Sequence, residues 1–391
     1  MHDDTRVIHL GRDPAAQAGA VNPPVYHAST ILFPTVADLQ EAPRRIARDE
    51  QAPYYGRRGT PSTFAFENAV AELEGGYRAL TYPSGLAAVA AALLAVTRAG
   101  DHVLMTDSAY SPSRHVCDAI LARNGVETTY CDPLIGGGIA ALFRPNTRVV
   151  YLEAPGSLTF EMQDVPAIAA VARARGIRVL MDNTWATPLY FKPFEHGVDL
   201  SIHAATKYIV GHSDAMLGVV VANREAWPEL RDMTRSLGQC AGPDDVYLAQ
   251  RGLRTMATRL RQHHRTGLDL AEWLKGQPAV ARVLHPALPD DPGHAVWKRD
   301  FLGASGLFSI VLKPCSAAQL AAMADHLELF GMGYSWGGYE SLFLPSWPAR
   351  DRTAVPWVAE GQLVRIHAGL EAIDDLKADL AAGFARLAAA A

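Results

Sequence analysis

The chain has no long run of basic residues, no paired cysteines and no apolar stretch of membrane-spanning length. Its four cysteines, Cys117, Cys131, Cys240 and Cys315, stand far apart in 391 residues. None forms a CxxC pair, so they read as reduced, mostly buried thiols rather than as a metal site or a disulfide framework. The 14 histidines contain no HExxH pattern, and no metal centre is expected. Thirty-six basic side chains against 41 acidic ones leave a formal charge of -5, which gives no electrostatic support for binding nucleic acid. The longest apolar run, Leu86 to Val96, is short and rich in alanine, and so reads as a buried helix rather than a membrane span. The opening Met1-His2-Asp3-Asp4 lacks the basic and apolar blocks of a signal peptide. A cytoplasmic protein with no membrane association is the expectation. No GxGxxG follows a strand, which disfavours a nicotinamide enzyme.

What is present is a globular composition, 49% hydrophobic and 20% charged, on a chain too long for one core. Prolines at 14, 23, 24, 34, 43 and 53 predict an irregular arm over residues 1–55, ordered by packing on something else, such as a neighbouring subunit. From about Phe64, short apolar runs at 102–105, 148–152 and 178–181 alternate with helical stretches such as 165–175. That alternation predicts a doubly wound α/β domain with a mostly parallel sheet over residues 56–252. Beyond it, a helix over 253–275 leads to strands at 280–284, 307–312 and 362–367. A final helix carries Ile373, Leu376, Leu380, Phe384 and Leu387 on one face, giving a smaller α+β domain over 253–391. His263 and His264 point to different faces of their helix.

Several residues in this frame suggest chemistry. Val198, Leu200 and Ile202 alternate like a strand, and the chain then turns through Ala204 to Lys207. Lysine is seldom buried, and one held among small and apolar residues has its amine pKa lowered and can form an imine. A solvated loop lysine is the plain alternative. Asp182 ends the strand 178–181, where open α/β sheets bind ligands, and an aspartate there can pair with a cationic ring nitrogen. Alone, it reads equally as a helix cap. Ser84, Gly85 and Leu86 precede an apolar helix whose first N–H groups suit a phosphate, and Thr206 could add a hydroxyl. In Tyr54-Tyr-Gly-Arg-Arg-Gly-Thr60, Arg57 or Arg58 could pair with phosphate or simply face water. Tyr110 lies in a loop where its ring could cover a cofactor. Arg365 sits on one face of an otherwise apolar strand with Leu363 and His367. Its planar fork fits a carboxylate, with a local ion pair as the alternative.

Together these residues resemble the Cys/Met-metabolism family of pyridoxal-phosphate enzymes, and Asp199 to Ser213 resembles that family's lysine signature along its whole length. The resemblance runs from about Tyr26 to the last helix. It implies the aspartate-aminotransferase type of fold, with pyridoxal 5'-phosphate carried by residues 56–252 as a Schiff base on Lys207. By the same resemblance Asp182 meets the pyridine nitrogen, Tyr110 stacks on the ring, and Gly85, Leu86 and Thr206 hold the phosphate. Tyr55 and Arg57 reach the phosphate of a neighbouring subunit, which implies a homotetramer of active dimers. Arg365 binds the α-carboxylate of an amino-acid substrate, and Ser335 helps to hold both that carboxylate and the lysine. Within the family, Tyr334-Ser-Trp-Gly-Gly-Tyr-Glu-Ser-Leu342 points to the bacterial lyases that cleave cystathionine at its β-carbon. Members that act at the γ-carbon usually have leucine where Trp336 stands, and many have glutamate where Tyr334 stands. Tyr55, Tyr110 and Lys207 are the expected catalytic groups, and Tyr334, Ser335, Trp336 and Arg365 the expected substrate contacts. Ala204 departs from the serine that many members carry, at the expense of one phosphate hydrogen bond. A γ-lyase, a cysteine desulfhydrase, or a cofactor-binding regulatory protein with little turnover are the competing readings.

Overall fold

The computed structural model describes residues 1–390. Seven strands form the larger sheet: β1 (Arg78–Tyr82), β2 (His102–Thr106), β3 (Glu127–Cys131), β4 (Thr147–Glu153), β5 (Arg178–Asp182), β6 (Leu200–Ala204) and β7 (Gly218–Ala222). Their order is β1-β7-β6-β5-β4-β2-β3. The neighbours from β6 to β3 are parallel, whereas β7 is antiparallel to both β6 and β1. Strands such as Gly218–Ala222 are buried along their length, because helices cover both faces of the sheet and leave no side for polar residues. One of these is Gly85–Val96, which is capped where the Ser84 hydroxyl accepts the Ala87 N–H at 3.1 Å. Its alanine content favours helix, and it buries Ala88, Val89, Ala91, Ala92, Leu93 and Val96, while Leu86 at its start stays exposed.

The smaller sheet comprises β8 (Val280–Leu284), β9 (Leu307–Leu312), β10 (Leu342–Ser346) and β11 (Leu363–His367). It is antiparallel throughout, in the order β10-β11-β9-β8. The final helix, Ile373–Ala389, buries Leu376, Leu380, Phe384 and Leu387 in the core of this sheet. Between the sheets runs one helix of 33 residues, Pro243–Lys275. It begins ten residues before the expected Leu253. Pro243 fits the first helical position, where its missing N–H is not needed, and Asp244 and Asp245 complement the positive end of the dipole. A division at 252/253 therefore falls inside a continuous helix.

The N-terminal arm is more regular than its prolines predict. Helices form at Asp3–His9 and Val36–Ala47, the second capped by Thr35, whose hydroxyl accepts the Asp38 N–H at 3.1 Å. Pro43 is tolerated because no residue of that helix is buried, so water can serve the carbonyl it leaves free. The first helix docks on its own chain. Arg254 donates to the carbonyls of Val7 and Leu10 at 2.7 and 2.8 Å, and Lys192 pairs with Asp3 at 2.6 Å. Of the cysteines only Cys117 and Cys131 are buried, and Cys240 is exposed. Cys240 lies at the loop before Pro243, outside every packed layer, which corrects the expectation of mostly buried thiols. Among the described residues no helix is long and apolar enough to cross a membrane, and no cluster of His, Cys, Asp or Glu could hold a metal ion.

Candidate active site

β5 and β6 are parallel neighbours in register, with Asp182 opposite Ile202. Chain reversal after β6 brings Lys207 back over the strand ends, where the Lys207 N–H donates to Ala204 O at 3.0 Å. From the smaller sheet, β11 contributes Arg365, and the turn before β10 contributes Ser335 and Trp336. Lys207 Nζ donates to Ser335 Oγ at 2.5 Å and lies 5.3 Å from the centre of the Trp336 ring. No carboxylate pairs with this amine among the described residues. Burial first, and then the cation of Arg365, pull its pKa down to about 8, with Asp182 opposing. An amine in that range is a competent nucleophile and base near neutrality.

Asp182 accepts from the N–H of Thr184 at 2.9 Å and from the Thr184 hydroxyl, both on Oδ1. Burial raises its pKa, against the hydrogen bonds of Thr184 and the charges of His203 and Lys207. Arg365 Nη2 donates to Ser335 O at 2.7 Å, while its Nε is buried with no partner. An unpaired guanidinium N–H in such a place is set for an anion. Burial lowers the pKa of Arg365 to about 10, so it stays cationic near neutrality. The local ion pair considered from sequence is not formed.

At the head of Gly85–Val96, Ser84 takes the N–H groups of Ala87 and Ala88, leaving those of Gly85 and Leu86 outside the helix ladder. A Cβ at position 85 would lie 2.5 Å from the Cβ of Ala204. Only glycine lets the helix start approach the turn that carries Lys207 this closely. Thr206 Oγ1 donates to Leu217 O at 3.1 Å and accepts from Leu217 N at 2.9 Å. Its hydroxyl proton is thus engaged with backbone, and so is its own N–H, which donates to Leu217 O at 3.0 Å, so neither of its donors is left open to a phosphate. Tyr110 opens a short helix at Ser111–His115 and is about half exposed.

Not every expected residue joins this cluster. Tyr55 and Arg57 stand together, with the guanidinium 5.6 Å from the ring. Arg57 reaches Arg235 O at 3.4 Å in a separate concavity lined by Arg58, Glu67 and Trp227. Tyr334 is 91% exposed and touches none of the groups above.

Three residues escaped sequence reasoning. Thr184 orients Asp182, and an Asp-x-Thr at a strand end was the available signal. Glu153 stands opposite Asp182 in the β4–β5 ladder and accepts the Tyr110 N–H at 2.7 Å. Burial and the neighbouring Asp182 raise its pKa well above the usual carboxylate range. The third, His367, had been read only as a strand residue.

A lysine beyond one strand end, facing an aspartate at the end of the next, is the arrangement of aminotransferase-like pyridoxal-phosphate enzymes, and the α/β sheet with its smaller C-terminal unit has that fold. The chain belongs to the family described as Cys/Met metabolism PLP-dependent enzymes, whose model matches residues 4–385. It is 48% identical over 390 residues to the cystathionine beta-lyase of Salmonella typhimurium, covering 98% of each chain. It is 41% identical to the L-alanine/L-glutamate racemase of Wolbachia pipientis, covering 99% of this chain and 98% of that one. Among solved structures, cystathionine gamma synthase from Xanthomonas oryzae in complex with cystathionine superimposes with a TM-score of 0.91 at 30% identity, over the whole of both chains. The family cofactor is pyridoxal phosphate. The residues present fit it: an amine with no carboxylate partner, an aspartate whose Oδ2 is left to the site, a helix start with open N–H groups and an arginine with an orphaned Nε.

Proposed function

We propose that this chain is a carbon–sulfur β-lyase that converts L-cystathionine and water to homocysteine, pyruvate and ammonia. The observation that carries the chemistry is the meeting of Lys207, Ser335 and Arg365, with the buried Arg365 Nε awaiting an anion. The cystathionine beta-lyases among its relatives support the substrate. When bound, pyridoxal phosphate supplies an electron-accepting ring that acidifies the Cα–H of an attached amino acid. Lys207 anchors it, Asp182 Oδ2 holds the proton on its ring nitrogen, and Gly85 and Leu86 N–H groups hold its phosphate. Arg365 grips the substrate α-carboxylate and so fixes the Cα–H near Nζ. Freed from the cofactor when the substrate amine takes its place there, the neutral Lys207 amine would take that proton and deliver one to the sulfur as the Cβ–S bond breaks. Ser335 Oγ aims the amine, and Tyr110, whose backbone N–H is fixed by Glu153, would cover the cofactor with its ring. Trp336 closes the substrate side.

Residues 1–55 serve as an arm towards a neighbouring subunit, presenting Tyr55 and Arg57 to that subunit's phosphate site in a homotetramer built from active dimers. Residues 56–252 and 253–391 act as the cofactor-binding and C-terminal domains, and the protein works in the cytoplasm. Their separation from Lys207 in one chain, and the exposure of Tyr55, support the arm's role.

The test is the product. Purified protein with cystathionine should yield pyruvate and homocysteine, and Lys207→Ala should lose both products and the visible absorption of the lysine-bound cofactor. Formation of 2-oxobutyrate and cysteine, or interconversion of alanine enantiomers with no pyruvate from cystathionine, would overturn the assignment.

A further inference from the structure

His367 ends β11 two residues beyond Arg365, on the same face of the strand. It is buried, and both ring nitrogens are engaged. Nε2 accepts the N–H of Gly337 at 3.1 Å, and Nδ1 lies 3.0 Å from the carbonyl of Glu340. Since an N–H can only donate and a carbonyl can only accept, the proton must sit on Nδ1 and Nε2 must be bare. An imidazolium could not serve both partners. Burial, with the charges of Lys207, Arg365 and His263 around the ring, pushes its pKa well below the usual histidine range.

The turn that His367 grips is strained. Ser335 has φ +76° and Gly337 φ +87°, a region that a serine adopts only when its surroundings impose it. A Cβ at Gly337 would lie 2.9 Å from Lys207 C and Tyr208 N, so the turn leans directly on the lysine backbone. It brings Ser335 Oγ to Nζ, Ser335 O to Arg365 and the Trp336 ring beside the amine. The rings of Tyr208, His263, His367 and Trp336 pack around it, with centres 5.1–5.8 Å apart. The Gly337–His367 bond is one residue from Trp336 and ties the turn to the strand that carries Arg365.

We propose that His367, in its Nδ1–H tautomer, is the positioning residue that holds the Ser335–Trp336 turn against Lys207. The step it serves, proton transfer by Nζ, rests on the lyase reading above. A glutamine at 367 can place an acceptor near the Nε2 position and keep the Gly337 bond. An asparagine can place a donor near the Nδ1 position and keep only the bond to Glu340.

The experiment compares His367→Asn with His367→Gln in holoenzyme shown by thermal melting to be folded. It reads kcat and KM for cystathionine, and the fluorescence attributable to Trp336, taken as the difference from the same protein carrying Trp336→Phe. His367→Asn should lose about tenfold in kcat, the effect of one buried hydrogen bond, and shift the Trp336 emission. His367→Gln should restore most of both. Equal losses in the two variants, or the larger loss in His367→Gln, would show a structural role only and overturn the proposal. If wild-type protein fails to form pyruvate, the lyase reading falls, and the Trp336 emission of the two variants still decides the role of His367.

Discussion

Arg365 carries a consequence that can be worked through in numbers. Its Nη2 is committed to Ser335 O at 2.7 Å and its Nε is buried without a partner. A substrate carboxylate seated on Nε would therefore gain a charge-assisted bond that the free protein leaves unmade. Arg365→Lys keeps the charge but not the fork. A hydrogen bond to a charged group contributes about 1.5–3 kcal/mol, so kcat/KM for cystathionine should fall about 10- to 150-fold. The loss should appear mainly in KM, because the carboxylate is held alike in the ground and transition states. Arg365→Ala removes the charge as well, and leaving a buried carboxylate without its partner costs about 3–5 kcal/mol, or about 150- to 5000-fold. A second readout separates the variants. After burial, the Arg365 cation is the next largest cause of the lowered Lys207 pKa. Capture of pyridoxal phosphate by apoprotein requires the neutral amine, so its rate should climb as pH rises through about 8. Arg365→Ala should move that climb to higher pH, and Arg365→Lys should leave it near the wild-type position. Stopped-flow absorbance with apoprotein measures the one, and steady-state pyruvate release the other. A KM within about threefold of wild type in Arg365→Ala would place the carboxylate elsewhere and refute the reasoning.

Two further outcomes follow from groups outside that contact. Glu67 is buried, accepts from Thr81 N and Oγ1 at 2.9 and 3.0 Å, and burial raises its pKa to about 8. The unfolded chain ionises it near 4.5 while the fold keeps it protonated, so stability should decline between about pH 4.5 and 8 by a few kcal/mol. Glu67→Gln should flatten that decline in denaturant titrations, and an unchanged slope would contradict it. Ala204→Ser places a hydroxyl beside Gly85, at the turn expected to hold the phosphate. It should tighten pyridoxal phosphate about fivefold, equivalent to about 1 kcal/mol, by equilibrium dialysis. Unchanged or weaker binding would show that Gly85, packed on Ala204, leaves the hydroxyl no room.

Much of the architecture was legible because burial writes many strands as apolar runs, on both faces in β9 and at the ends of β8. β8 and β9 have their expected bounds, and β4, β5 and β11 differ from expectation by a residue or two. β1, β3, β7 and β10 were not anticipated. Arg78–Tyr82 and Glu127–Cys131 mix polar and apolar residues without regular alternation, and Gly218–Ala222 is too brief to tell from a helical fragment. The arm's second helix was hidden by Pro43, since the rule against proline assumes a packed interior and this helix has none. At the site, Lys207, Asp182 and Arg365 were visible because each is a polar residue where its neighbours are apolar. Glu153 and His367 were not, as a single acid or histidine at a strand end says nothing until its partners are known.

The amino-acid sequence by itself determined the fold class, the lysine signature and the types of group the chemistry needs. These depend on local periodicity and residue identity. Tertiary structure decided which of those groups meet. Residues 182, 207, 335 and 365 come from four separate segments, and only the pairing of β5 with β6 and the docking of the β10–β11 sheet bring Lys207, Ser335 and Arg365 within hydrogen-bond reach and Asp182 within reach of the Lys207 charge. The same packing left Arg365 Nε without a partner, drew Lys207 down towards neutrality and assigned the His367 tautomer. Each of these is a property of a shared low-dielectric space, which no single stretch of chain contains.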